Sequence, residues 1–320
     1  MHRQCAEEMP RPFASSKDWR INLRALHYDY FRRVTMLNYV PTLISSKLVH
    51  NYTMLTLQVG VQTVSLGRTL KNGLLAAAKI GADAVEIDAR SELRAEVQSQ
   101  TAIRQFRKML EDLNLRLAAL AFPTRRGYDS PDRLDARIAG TKDTMRLAAA
   151  LGAPVVVNRI GQVPSASEID EDAEARKRWN CLCDVLGELG HFGDRQGAVL
   201  AAETGDEPGD RLGALLGFVS TGSIAVTLNP GNLILGGFDP REAIGTLGSL
   251  IRYVRARDAV RQGQGDRGSE VALGRGSIDP PALLGALEEQ DYRGTITIER
   301  RESADPHFEI GQAVQYLRNL

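Results

Sequence analysis

The chain has 320 residues, its 40 Lys+Arg balanced by 40 Asp+Glu, with 43% hydrophobic and 25% charged residues. Zero formal net charge argues against bulk electrostatic capture by nucleic acid or anionic membrane. The composition excludes disorder as the main state, and no stretch approaches the roughly 18 apolar residues of a membrane span.

Three cysteines, Cys5, Cys181 and Cys183, are too few for a disulfide framework, and the Cys181–Cys183 pair lacks the second ligand pair of a zinc site. A reducing cytoplasm is the simplest setting. Residues 1–53 hold three of the five histidines and no glycine, show no sustained period, and lack the pattern of a signal peptide. They are expected to be an N-terminal extension outside a fold that opens near Met54.

From Leu55 the chain alternates short apolar runs with amphipathic stretches. The runs are Leu57–Val64, Ala84–Ile87, Leu115–Ala121, Pro154–Val157, Val199–Ala202, Ile224–Leu228, Ile251–Ala256 and Thr295–Ile298. Near-continuous apolar runs fit strands covered by helices on their outer face. Helical spacing follows, as in Leu74, Leu75 and Ala78 or Ile103, Phe106 and Leu110, and Gly81, Gly152, Gly222 and Gly294 stand just ahead of strands. Eight such units over 54–320 predict a (β/α)8 TIM barrel, with no G-x-G-x-x-G to support an open dinucleotide-binding sheet.

Barrel chemistry sits at the C-terminal strand ends. The polar residues there are Glu86 and Asp88, Arg125 and Arg126, Asn158 and Arg159, Glu203, Asn229, Arg255 with Arg257 and Asp258, and Glu299 with Arg300. A carboxylate ending an apolar strand is costly to desolvate without a partner or a task, so Glu203 and Glu299 are the leading catalytic candidates. Glu86 is balanced between substrate contact and an ion pair with Arg90 or another arginine at the mouth. The segment from Asp258 to Asp279 reads as the longest irregular loop. Its glycines and Arg275 suit a phosphate or polyol, whereas Arg261 to Ser269 reads as solvated. His191, His307, the two late cysteines and Trp179 read as surface, capping or packing residues.

The stretches GADAVEID, LGAPVVVNRIG, VLAAETG, VTLNPGNLILGG, YVRARDAV, VALGRGSID and YRGTITIERRE, in that order, resemble the sugar phosphate isomerase/epimerase group of the xylose isomerase-like TIM barrels. The resemblance implies a divalent metal at the mouth, held by a Glu, an Asp, a His and a Glu after strands five to eight, with the glutamates moving a proton beside a carbonyl. Glu203 and Glu299 match the glutamates; Asn229 replaces the Asp and Arg255 the His. Magnesium or manganese on Glu203, Asn229 and Glu299 is therefore expected to be weak or absent. Arg255 is expected to reach between Glu203 and Glu299 in the metal's place, keeping both ionised.

The function so implied is isomerisation, epimerisation or a related elimination on a small sugar or sugar phosphate. Glu203 and Glu299 would be the acid/base pair, and Glu86, Asn158, Arg255, Asp258 and Arg275 would contact substrate. The alternative is a metal-free, non-catalytic carbohydrate-binding barrel. Neither reading has a nucleic-acid or membrane partner, and a homo-oligomer is compatible with both.

Overall fold

The computed structural model describes residues 57–67, 69–93, 99–219, 222–263 and 267–320. The expectation for residues 1–53 lies outside the described residues.

Eight parallel strands close into a barrel: β1 (Val59–Gln62), β2 (Ala84–Asp88), β3 (Arg116–Ala121), β4 (Val155–Asn158), β5 (Val199–Glu203), β6 (Ile224–Leu228), β7 (Ile251–Ala256) and β10 (Ile296–Ile298). The order around the barrel follows the chain, and β10 closes on β1 with Gly60 beside Thr297. Between β7 and β10 the short strands β8 (Asp258–Val260) and β9 (Ser269–Val271) pair as an antiparallel ribbon. The expected irregular loop is thus partly ordered, and Ser269 lies within the ribbon. The first apolar run is also shorter than expected, because Thr63–Ser65 turns into a 3-10 helix.

The helices are α1 (Leu70–Lys79), α2 (Gln100–Asp112), α3 (Leu134–Leu151), α4 (Ala166–Glu171), α5 (Ala173–Gln196), α6 (Gly209–Phe218), α7 (Pro230–Gly236), α8 (Pro240–Leu247), α9 (Pro280–Glu289) and α10 (Pro306–Arg318). Asx and Ser/Thr caps open most of them; Asp279 and Asp305 each accept a first-turn N–H ahead of a proline. Gly152 ends α3 at φ +81°, where a side chain would be strained. Leu74, Phe106 and Leu110 are buried as their spacing predicts, but Leu75 faces solvent. Among the described residues no helix is long and apolar enough to cross a membrane.

Two cores result. The larger lies between strands and helices and holds Leu74, Leu120, Leu186, Leu200 and Val254, each stabilising the fold by roughly 1.5–3 kcal/mol. The smaller fills the lumen with Ala84, Ala119, Val157, Ala201, Ala225 and Tyr253. Small inward residues leave room for the Tyr253 ring, whose hydroxyl donates to Thr297 Oγ1 at 2.7 Å. Gly60 extends this economy of space, since a Cβ there would lie 2.6 Å from Thr297 Oγ1. Strand alternation then carries the inward face upward, from Ala84 to Glu86, Ala201 to Glu203 and Tyr253 to Arg255. The apolar lumen therefore ends in a buried layer of charge.

Candidate active site

Arg255 is the centre of that layer and is only 3% exposed. Its Nε and Nη2 donate to the two oxygens of Glu86 at 3.0 and 2.7 Å, and Nη1 donates to Glu203 Oε1 at 2.6 Å. Gln62 Nε2 adds a 2.9 Å bond to Glu86 Oε1. The fork of a guanidinium matches a carboxylate in this way, and a buried carboxylate needs such a partner. Of the five N–H donors of the guanidinium, three are spent on these bonds.

Glu203 and Glu299 meet on one amide. Asn229 Nδ2 donates to Glu203 Oε1 at 2.7 Å and to Glu299 Oε2 at 2.9 Å. Asn229 also opens α7: its Oδ1 accepts the N–H of Asn232 at 3.1 Å. That capping bond fixes the amide with its donor end toward the glutamates. Glu299 Oε1 pairs with Arg301 Nε, whose side chain is half exposed and lies at the rim.

The two carboxyls are displaced in opposite directions. Burial works to raise Glu203, but the Arg255 cation and the hydrogen bonds from Asn229 and Arg255 outweigh it and hold Glu203 below its ordinary value. Burial raises Glu299, and repulsion from Glu203 adds to it against the pull of Arg255 and Arg301. Arg255 stays cationic because the glutamates around it overcome the effect of its own burial. Glu203 and Glu299 are close enough to titrate as a coupled pair.

The layer opens into a cavity of about 190 Å³ lined by Glu86, Glu203, Arg255, Asn158, Arg159 and Arg301, among others. Asn158 sits in its wall. Its Nδ2 donates to Tyr128 Oη at 2.9 Å, and its Oδ1 accepts from Thr124. Arg159 reaches across to Asp206.

The structure thus brings Glu86, Asn158, Glu203, Asn229, Arg255 and Glu299 together, and departs from the sequence-based expectations at three residues. Arg255 does not lie between Glu203 and Glu299; its second partner is Glu86, because β2 presents that carboxylate on the inward face. Asp258, expected to contact substrate, is 1% exposed and accepts the N–H groups of Ala259, Gly274, Gly276 and Ile278. It ties down the loop before α9. Arg275 is exposed on that loop and does not line the mouth.

The donor chemistry of the layer bears on the metal. A divalent cation needs oxygen or nitrogen lone pairs, yet Arg255 presents N–H groups to Glu203, and Asn229 presents its N–H₂ to both glutamates. The residues do not fit the metal implied by the resemblance. Among the described residues no group of three His, Cys, Asp or Glu side chains is arranged to hold one.

Two contributors escaped the sequence reading. Gln62 was hidden in the first apolar run, although its inward parity with Gly60 signals it. Glu270 on β9 joins Arg257, Arg300 and the Arg301 N–H at 2.7, 2.8 and 2.7 Å. It anchors the ribbon to the segment that carries Arg301, and only the ribbon's pairing puts it there.

The task of Asp258 is testable. Asp258→Ala leaves buried N–H groups without an acceptor, at a cost of about 3 kcal/mol. Urea unfolding should show that loss, with faster proteolysis of residues 273–278. An unchanged midpoint would refute the assignment.

A closed parallel barrel with a polar C-terminal mouth defines the class of protein. The family model described as xylose isomerase-like TIM barrel matches residues 74–320, and the chain belongs to that family. It is 26% identical over 162 residues to an inosose dehydratase of Geobacillus kaustophilus (strain HTA426), a match covering 44% of this chain and 53% of that protein. The chain therefore spans about half the length of that curated relative. The crystal structure of a xylose isomerase domain protein from Planctomyces limnophilus superposes with a TM-score of 0.70 at 22% identity, covering 82% of this chain and 97% of the other. A D-tagatose 3-epimerase-like protein gives 0.66 at 19%, covering 82% and 98%. At these identities the solved structures speak for the fold.

Proposed function

We propose that the chain is a sugar-modifying enzyme that moves a proton on the carbon beside a carbonyl, with Glu203 and Glu299 as the acid/base pair. The observation that carries the reading is their meeting on one Asn229 amide with pKa values pushed apart. We read the split as a division of roles: Glu203, lowered by Arg255 and Asn229, serves as the base, and Glu299, raised by burial, as the acid. The N–H groups of Arg255 not spent on Glu86 and Glu203 stand ready for the oxyanion that develops when the proton leaves. The chain's own guanidinium supplies positive charge there. Isomerisation, epimerisation and loss of water all begin with such a proton transfer. The dehydratase and epimerase-like relatives keep all three within range. Asn158 and Arg159 would orient substrate hydroxyls from the cavity wall.

The test is solvent exchange. Aldoses, ketoses and inososes incubated in D2O with the protein should take up deuterium beside the carbonyl, and a chelator should leave the rate unchanged. Glu203→Gln and Glu299→Gln should each slow exchange by about 10²–10⁴-fold. The rate should fall when pH drops through the lowered value of Glu203 and when it rises through the raised value of Glu299. Sugar binding with no exchange across the panel would replace this reading by that of a carbohydrate-binding barrel. The heavy use of Glu86 and Glu203 in pairing Arg255 is the observation that favours that alternative.

A further inference from the structure

Beside the mouth lies a second cavity of about 660 Å³, and its lining is strongly basic. Arg90 reaches it from the turn after β2, Arg125 and Arg126 from the segment after β3, and Arg133 and Arg137 from the start of α3. The lone carboxylate of the lining is Asp132, which accepts from Arg126 Nη1 at 2.8 Å. Arg137 is held in place by the backbone carbonyls of Ser130 and Asp132, and Arg90 by that of Pro123. Arg125 and Arg133 have no carboxylate partner among the described residues.

Neighbouring guanidinium groups repel one another, and the lining among the described residues has one carboxylate against five of them. The N-terminus of α3 adds to the field. Its cap is Arg133 at φ +52° with no side-chain cap bond; the Leu134 N–H is taken by the Pro131 carbonyl at 3.2 Å, and Asp135 in the first turn offsets part of the positive end. An oxyanion is the ligand that matches planar guanidinium forks and a helix N-terminus together.

The cavity also adjoins the mouth. Thr124 lines both, and its N–H and hydroxyl both face Asn158 Oδ1. From Asn158 a buried chain runs through Tyr128 Oη and Thr141 Oγ1 to the carbonyl of Arg137, with steps of 2.9, 2.7 and 2.9 Å. This chain ties the start of α3 to Asn158 in the wall of the mouth. The mouth cavity, at about 190 Å³, is smaller than the roughly 300 Å³ at which ligand sites usually begin, and the arginine pocket lies next to it across Thr124.

We propose that the arginine pocket is an anion subsite that holds an oxyanion at the far end of the substrate, while the carbonyl end reaches Glu203 and Glu299. The shared chemistry is that of a phosphate monoester or a carboxylate. The account of what the anion is attached to rests on the proton-transfer reading of the mouth; the anion site itself rests on the pocket.

The experiment measures binding to the full chain by calorimetry at matched ionic strength. The probes are inorganic phosphate, acetate, glucose, glucose 6-phosphate and gluconate. Saturable binding of phosphate or acetate is expected, together with tighter binding of the corresponding sugar phosphate or sugar acid than of glucose. The preferred arm identifies the group. Arg125→Ala with Arg133→Asn, the Asn chosen because it tolerates positive φ, should weaken anion binding at least tenfold. Arg195→Ala with Lys79→Ala, at the exposed ends of α5 and α1, removes two positive charges elsewhere and should not. No saturable anion binding, or equal binding by the double variant, overturns the proposal. Deuterium exchange into neutral sugars despite that result would leave the mouth reading standing. Anion binding without exchange on any sugar would keep the subsite and remove the mouth reading.

Discussion

Arg255→Met should unfold far more easily than the wild type, by about 3–5 kcal/mol, because it strands Glu86 and Glu203 in a dry lumen without their cation. At about 2–4 °C per kcal/mol for a domain of this size, the melting temperature should fall by about 10 °C. The pH dependence gives a sharper signature. In the wild type Glu203 is held below its unfolded value, so its contribution is present above that value and is lost as pH falls through the folded one. In Arg255→Met the dominant influence left on Glu203 is burial, which raises it. The variant then binds more protons folded than unfolded and gains stability as pH falls. The gap between the two proteins should narrow in acid. Should the single variant fail to fold, Arg255→Met with Glu86→Leu, which removes both members of the bidentate pair, should recover part of the loss. A gap that stays constant with pH, or a fall under 1 kcal/mol, would show that the charge layer is not a coupled unit.

The second large effect is the conversion of the mouth into a metal site. Asn229→Asp turns a fixed donor into an acceptor, and Arg255→His replaces a guanidinium by an imidazole that can ligate. With Glu203 and Glu299 they supply the donor set implied by the family resemblance. The double variant starts destabilised, since Glu86 loses its partner. Manganese at about 100 times its dissociation constant should restore about 2.7 kcal/mol, a rise of several degrees. The wild type should show no saturable manganese shift. A manganese-dependent rise in the wild-type melting temperature would defeat the argument that Arg255 and Asn229 exclude the ion. A double variant that folds but ignores manganese would place the obstacle elsewhere, for instance in the Arg301 side chain over Glu299.

Much of the architecture was legible in the chain. Apolar runs at strand length, helical spacing after each, and glycines at helix ends are local properties, and a parallel barrel buries its strands on both faces, so its strands announce themselves as apolar. Glu203, Glu299, Arg255 and Asn229 were legible for the same reason: a polar residue ending such a run stands out. Which of these groups meet was a different matter. Glu86 and Arg255 are 169 positions apart in sequence, and their pairing is decided by strand order, register and the inward parity of β2 and β7. Asp258 and Arg275 looked like ligands of a substrate because a loop's sequence does not reveal which backbone N–H groups will need an acceptor. The arginine pocket was visible only as scattered charges, since Arg90, Arg126 and Arg137 belong to three different segments. Local hydrophobic period thus fixed the elements of this protein. Tertiary closure decided its charge pairs, because Coulomb and hydrogen-bond partners are chosen by distances in space that no local pattern encodes.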